Sequence, residues 1–139
     1  MIFGQRIILS SCHRVSSTMN RLLRSFGFAL TGLRYALRTQ ANFRIHIVIS
    51  LAVSAIGLEL QLGPIEWAVL IVTMMIVLSA ELMNTAIEAT LDRVSVEQHP
   101  LAKVAKDTAA GAVLLSASGA VLVGLLILGP HLLAIINRR

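Results

Sequence analysis

The sequence predicts an all-α membrane protein: three transmembrane helices preceded by an amphipathic helix in the plane of the interface. Three observations carry that expectation. Apolar residues make up 56% of the 139 residues and charged residues only 14%, a balance far from that of a soluble domain. Three runs, residues 45–62, 67–86 and 109–128, are each close to the ~20 residues of helix that cross a bilayer. Ahead of them, Leu22, Leu23, Phe26, Leu30, Leu33 and Leu37 recur at helical spacing, while Arg21, Arg24, Arg34 and Arg38 fall off that face. Such a helix buries one side in the headgroup region and keeps the other wet. Little chain remains outside the membrane, so a single unit over residues 19–139 is expected.

The elements follow in order. Residues 1–18, MIFGQRIILSSCHRVSST, contain Arg and Ser, no acid and no clear period. They read as a disordered basic arm or as an extension ahead of a start at Met19, with a targeting peptide as the alternative. Asn20 to Arg38 is the amphipathic helix, slightly weakened by Gly27 and Gly32. TQANFR leads into the first span. Pro64 suits the first turn of the second helix, where Glu66 meets the positive end of the dipole. That helix outlasts its apolar run and is expected to continue to about Val94. SVEQHPLAKVAKD is a polar link in which Pro100 breaks or starts a helix. The third span carries Ala112, Ser116, Ala120 and Gly124 at intervals of four, which lets another helix approach closely, within or between subunits. Gly129-Pro130 is expected to end it.

Charge sets the topology. No acid precedes Glu59, whereas Arg6, Arg14, Arg21, Arg24, Arg34, Arg38 and Arg44 all do. The link LQLGPIEW has no Lys or Arg, and the next link has Arg93, Lys103 and Lys106. The positive-inside rule therefore puts the N-terminus and the second link in the cytoplasm. With aromatic residues at 4%, the basic balance reads as topology and attraction to anionic lipid, not as nucleic-acid binding. Cys12 stands alone, which excludes a disulfide framework and a thiolate metal site.

Directly after WAVLIVTMMIVLSA comes ELMNTAIEATLD. Glu81, Asn84, Glu88 and Asp92 are spaced by three, four and four, so they line one stripe of a helix. An ionisable group at membrane depth costs roughly 2.5–3.5 kcal/mol on insertion scales and generally marks function. Glu81 is the deepest and is placed as a general base. Glu88 and Asp92 offer the hard oxygens that suit magnesium, and Lys106 is a point charge suited to phosphate. A base, a metal-binding carboxylate and cations are the parts of phosphoryl transfer, although no GxxxxGK[ST] loop is present. The residues alone leave open an ion-coupled protein using Glu81, or a non-catalytic assembly subunit. Asp92, Arg93, Glu97, Lys103 and Asp107 taken singly also suit a solvated helix boundary, with Asp107 as a cap of the third helix. His46, His99 and His131 show no metal-ligand spacing.

ELMNTAIEATLDRV followed by HPLAKVAKDTAAGAVLL resembles the signature of the small prokaryotic lipid kinases, the diacylglycerol kinase and undecaprenol kinase family. FALTGLRYALRTQANFRIH resembles the same family's entry into its first span, so the likeness covers residues 20–128. It implies a homotrimeric bundle in the cell membrane with sites shared between protomers. It also implies magnesium-dependent transfer of the γ-phosphoryl group of ATP to the hydroxyl of a membrane lipid, in phospholipid or lipid-carrier metabolism. By the same resemblance Glu81 is the base that receives the lipid hydroxyl proton, Asn84 positions the reacting groups and Glu88 binds Mg2+. Asp92, Lys106 and Asp107 match nucleotide-side residues, and Arg21, Glu97 and His99 do so more loosely. Gln40 stands where the family often has a second metal-binding carboxylate. Its amide oxygen can coordinate but brings no charge, so Glu88 and phosphate would hold most of the metal. HPLAK and FRIH look more like the undecaprenol branch than the diacylglycerol branch.

Overall fold

A computed structural model of the chain describes the backbone of residues 3–94 and 99–137, and the side chains of residues 20–93 and 99–137. The described residues form four helices: α1 (Phe3–Thr39), α2 (Ala41–Glu59), α3 (Pro64–Val94) and α4 (Pro100–Ile136). Among the described residues, α2, α3 up to Arg93 and α4 are each long and apolar enough to cross a membrane. The all-helical, three-span architecture read from the sequence is the observed one.

The chain divides into two compact units, residues 1–38 and 39–139. The first is helix α1. Its apolar stripe is open, with Leu22, Leu23, Phe26 and Leu30 all more than half exposed, as an interfacial helix requires. The helix also continues upstream of Asn20 to Phe3, through most of the stretch expected as a basic arm. Ser25 and Thr31 donate to the carbonyls of Arg21 and Gly27 one turn back, at 3.0 and 2.9 Å, so their hydroxyls are satisfied within the helix.

In the second unit α3 packs on both α2 and α4. The turn from α2 to α3 is built by capping. Leu62 N–H bonds to Gly57 O at 3.2 Å and Gln61 N–H to Leu58 O at 3.1 Å, the paired bonds of a Schellman ending. That motif needs a left-handed residue, and Gln61 supplies it at φ 53°. Replacing Gln61 with Gly should therefore stabilise the turn by about 0.5–1 kcal/mol, read as a higher unfolding midpoint in detergent. On the other side of the turn, Glu66 accepts from Gly63 N–H at 2.7 Å and closes the first turn of α3.

Gly57 sits in a tight position against Leu62 and Trp67. A Cβ there would lie 3.0 Å from Leu62 Cδ1 and 3.2 Å from the Trp67 ring. A Gly57→Leu chain should lose about 1–3 kcal/mol through overpacking, which thermal unfolding would register.

Along α3 the buried stripe changes character. Leu70 and Val77 are buried apolar residues, and the next buried positions are Glu81, Asn84 and Thr85. On α4 the buried residues are Ala109 and Val113, and Ala117, Ala120 and Gly124 continue that side. Ala112, from the expected interval-of-four stripe, is exposed. Steps of four residues overshoot a full turn by about 40° each, so a strict four-residue series drifts off a packed face.

Two expectations at the ends of α4 are corrected. The helix starts at Pro100 with His99 as its cap, the ring nitrogen Nδ1 accepting from Leu101 N–H at 3.2 Å. Asp107 lies two turns inside the helix and caps nothing. At the far end, α4 runs through Gly129-Pro130 to Ile136. A proline removes one backbone donor but need not end a helix between apolar surroundings, where no water competes for the backbone. Just beyond it His131 Nδ1 lies 3.0 Å from Ile127 O, and Nε2 lies 3.7 Å from the Glu66 carboxylate.

Candidate active site

The polar stripe gathers at the end of the bundle where α2 begins, α3 ends and α4 begins. α3 delivers most of it. Glu81 is 2% exposed and Asn84 9%, Glu88 is half-buried, and Asp92 is exposed. Over the ~16 Å of helix from Glu81 to Asp92, carboxylates thus pass from protein interior to surface.

Contacts within the stripe are specific. Asn84 Nδ2 donates to Glu88 Oε1 at 3.0 Å. Asn84 Oδ1 is buried without a hydrogen-bond partner, an arrangement that is costly unless something else engages the oxygen. Thr85 Oγ1 donates to the backbone carbonyl of Glu81 at 2.8 Å and so spends its hydroxyl on the helix. Further out, Lys106 of α4 donates to Asp92 of α3 as a hydrogen-bonded ion pair. Both partners are exposed, so the pair contributes at most about 1 kcal/mol. It does tie the two helix ends together.

Of the residues singled out in the sequence, the structure brings Asn84 to Glu88 and Lys106 to Asp92, with Glu81 one turn deeper on the same helix. Asp107 is exposed on α4. His99 serves as the α4 cap. Gln40 is the residue before α2, extended, with no side-chain cap bond, so its amide is not committed to the helix end. Arg21 is exposed on α1, which forms the other unit. Glu97 lies outside the described residues.

One residue near this site was not legible in the sequence. His46 of α2 lines the cavity that Val77 of α3, one turn before Glu81, also lines. In FRIHIVIS it looks like one more member of an apolar run.

Oxygen donors suited to a hard cation are present: the Glu88 carboxylate, and beside it the unpartnered carbonyl oxygen of Asn84. Among the described residues no cluster of three His, Cys, Asp or Glu side chains forms a closed cage. Magnesium usually takes one or two carboxylates and fills its shell with phosphate oxygens and water.

Fold and site together define a small helical membrane protein with a graded carboxylate and cation site at one end of its bundle. A family profile described as prokaryotic diacylglycerol kinase matches residues 27–128. The chain is 49% identical over 115 residues to a diacylglycerol kinase of Synechocystis, covering 82% of this chain and 66% of that protein. It is 42% identical over 123 residues to the undecaprenol kinase of Bacillus subtilis, 88% of this chain and 98% of that one. To the diacylglycerol kinase of Escherichia coli K12 it is 35% identical over 111 residues, 80% of this chain and 91% of that one. The chain belongs to the prokaryotic diacylglycerol kinase family, and so to the membrane lipid kinases.

Proposed function

We propose that the chain transfers the γ-phosphoryl group of ATP to the hydroxyl of a membrane lipid, diacylglycerol or undecaprenol, at the cytoplasmic face of the cell membrane. The observation that carries this reading is the depth gradient on α3, from Glu81 at 2% exposure to Asp92 at the surface. A lipid alcohol cannot leave the bilayer and ATP cannot enter it, so the two meet only where a helix passes through the interface. The base must lie deeper than the groups that hold phosphate, which is the order along this stripe.

In this reading Glu81 takes the proton of the lipid hydroxyl as that oxygen bonds to the γ-phosphorus. The bond from the γ-phosphorus to the β–γ bridging oxygen breaks, ADP leaves, and the proton stays on Glu81 until water removes it. Asn84 holds Glu88 through its Nδ2 and lends its own carbonyl oxygen to the same site. Bound Mg2+, held by Glu88 with the weaker donor Gln40, would neutralise the charge of the phosphates. Lys106 and Asp92 frame the nucleotide side, with Asp107, His99, Glu97 and Arg21 as further contacts. A homotrimer with sites shared between protomers and a cytoplasmic N-terminus complete the proposal. The first rests on the family resemblance, the second on the basic residues of the N-terminal part and second link.

FRIH and HPLAK favour the polyprenol, while 49% identity to a diacylglycerol kinase favours the glycerolipid. Purified protein in vesicles, given both alcohols in competition with ATP and Mg2+, separates the two. Conversion of one or both to its phosphate supports the reading. Neither converted, with ATP intact, contradicts it.

A further inference from the structure

The end of the bundle opposite the polar stripe holds a carboxylate that serves two partners. Glu66, in the first turn of α3, accepts from Gly63 N–H through Oε2 at 2.7 Å and so closes the turn after α2. Its other oxygen, Oε1, lies 3.7 Å from Nε2 of His131 on α4. One side chain joins the α2–α3 turn to the last part of α4. It stands about 22 Å of helix before Glu81 and takes no part in the transfer step.

The His131 ring is held between two acceptors. Nδ1 lies 3.0 Å from the Ile127 carbonyl, and Nε2 faces the Glu66 carboxylate. A neutral imidazole has a single N–H, so it donates to one of them and turns a lone pair toward the other. The imidazolium donates to both. The ring also sits where α4 is interrupted: Pro130 has no N–H, so the Leu126 carbonyl one turn back receives no helical hydrogen bond. A proton on His131 secures α4 to α3 just past that gap.

Other charge near the pair is sparse. Glu59, at the end of α2, is exposed, and among the described residues the other ion pair is Lys106–Asp92 at the far end of the bundle. Arg138 and Arg139 lie outside the described residues. Both members of the pair are about a third exposed, open enough for protons to exchange with solvent.

We propose that His131 and Glu66 form a proton-controlled clasp, closed when the imidazole is charged and released when it is neutral. Its stabilisation is present at low pH and is lost as pH rises through the range in which histidine gives up its proton, about pH 5–8. The inference does not depend on the lipid-kinase reading.

Thermal unfolding of the full chain in detergent, at several values from about pH 5.5 to 8.5, tests it. The wild-type midpoint should fall across that range by about 2–4 °C more than the midpoint of His131→Gln or Glu66→Gln. Glutamine at position 131 keeps an N–H for the Ile127 carbonyl, and glutamine at position 66 keeps an oxygen for Gly63 N–H, so each variant loses the charge pair alone. A chain carrying both substitutions should match the single variants in this pH dependence, because both remove the same contact. If His131→Gln does not fold, Glu66→Gln carries the comparison by itself. A fall of wild-type size in either folded variant overturns the clasp, as do effects that simply add in the double variant.

Discussion

Glu81→Gln should reduce kcat by about 10²–10⁴-fold, the usual contribution of a positioned general base, while KM for ATP and the assembled state stay as in the wild type. The substitution is nearly isosteric and removes the group's ability to take up a proton. Because Glu81 is 2% exposed, the neutral amide should be tolerated by the fold at least as well as the acid. A loss of turnover can then be assigned to chemistry. Steady-state kinetics with ATP varied at a fixed lipid fraction, together with size-exclusion chromatography, check both halves of the expectation.

The second large effect is expected at Glu88. Glu88→Gln should raise the Mg2+ concentration for half-maximal activity by about tenfold to a hundredfold, and lower activity at limiting Mg2+ by the same factor. Asn84 donates to Glu88 and can do the same to a glutamine, so the geometry survives while a formal charge is lost. Gln40 gives the converse. Gln40→Glu should lower the Mg2+ requirement, since it supplies a charged oxygen at a residue that makes no cap bond. Activity titrated against Mg2+ at fixed ATP distinguishes these outcomes from a change in kcat alone.

The fold was legible because its signals are local. Spans of helical length, Pro64 ahead of α3, Pro100 ahead of α4 and the leucine face of α1 need no tertiary information. The continuation of α3 to Val94 could be read because its Glu81–Asp92 stripe keeps helical spacing past the apolar run. Less legible were features that depend on a partner. Asp107 suits a cap by residue type, but the helix begins two turns earlier because Pro100 and His99 start it. Within one chain the side of α4 against α3 runs through Ala109 and Val113 to Ala120 and Gly124, and Ala112 of the four-residue series is exposed. At the site, Glu81, Asn84 and Glu88 announce themselves as polar residues in an apolar helix. His46 does not, since its place beside α3 comes from the antiparallel register of α2 on α3.

Single-turnover transfer tests the whole account most directly. Protein in excess over γ-labelled ATP, in vesicles carrying the lipid alcohol, is quenched over time and the label is followed into organic solvent. The wild type should move the label into lipid, and Glu81→Gln should bind the same ATP and leave the label in water. Label reaching lipid equally fast in both proteins would contradict the assignment of Glu81 as the base.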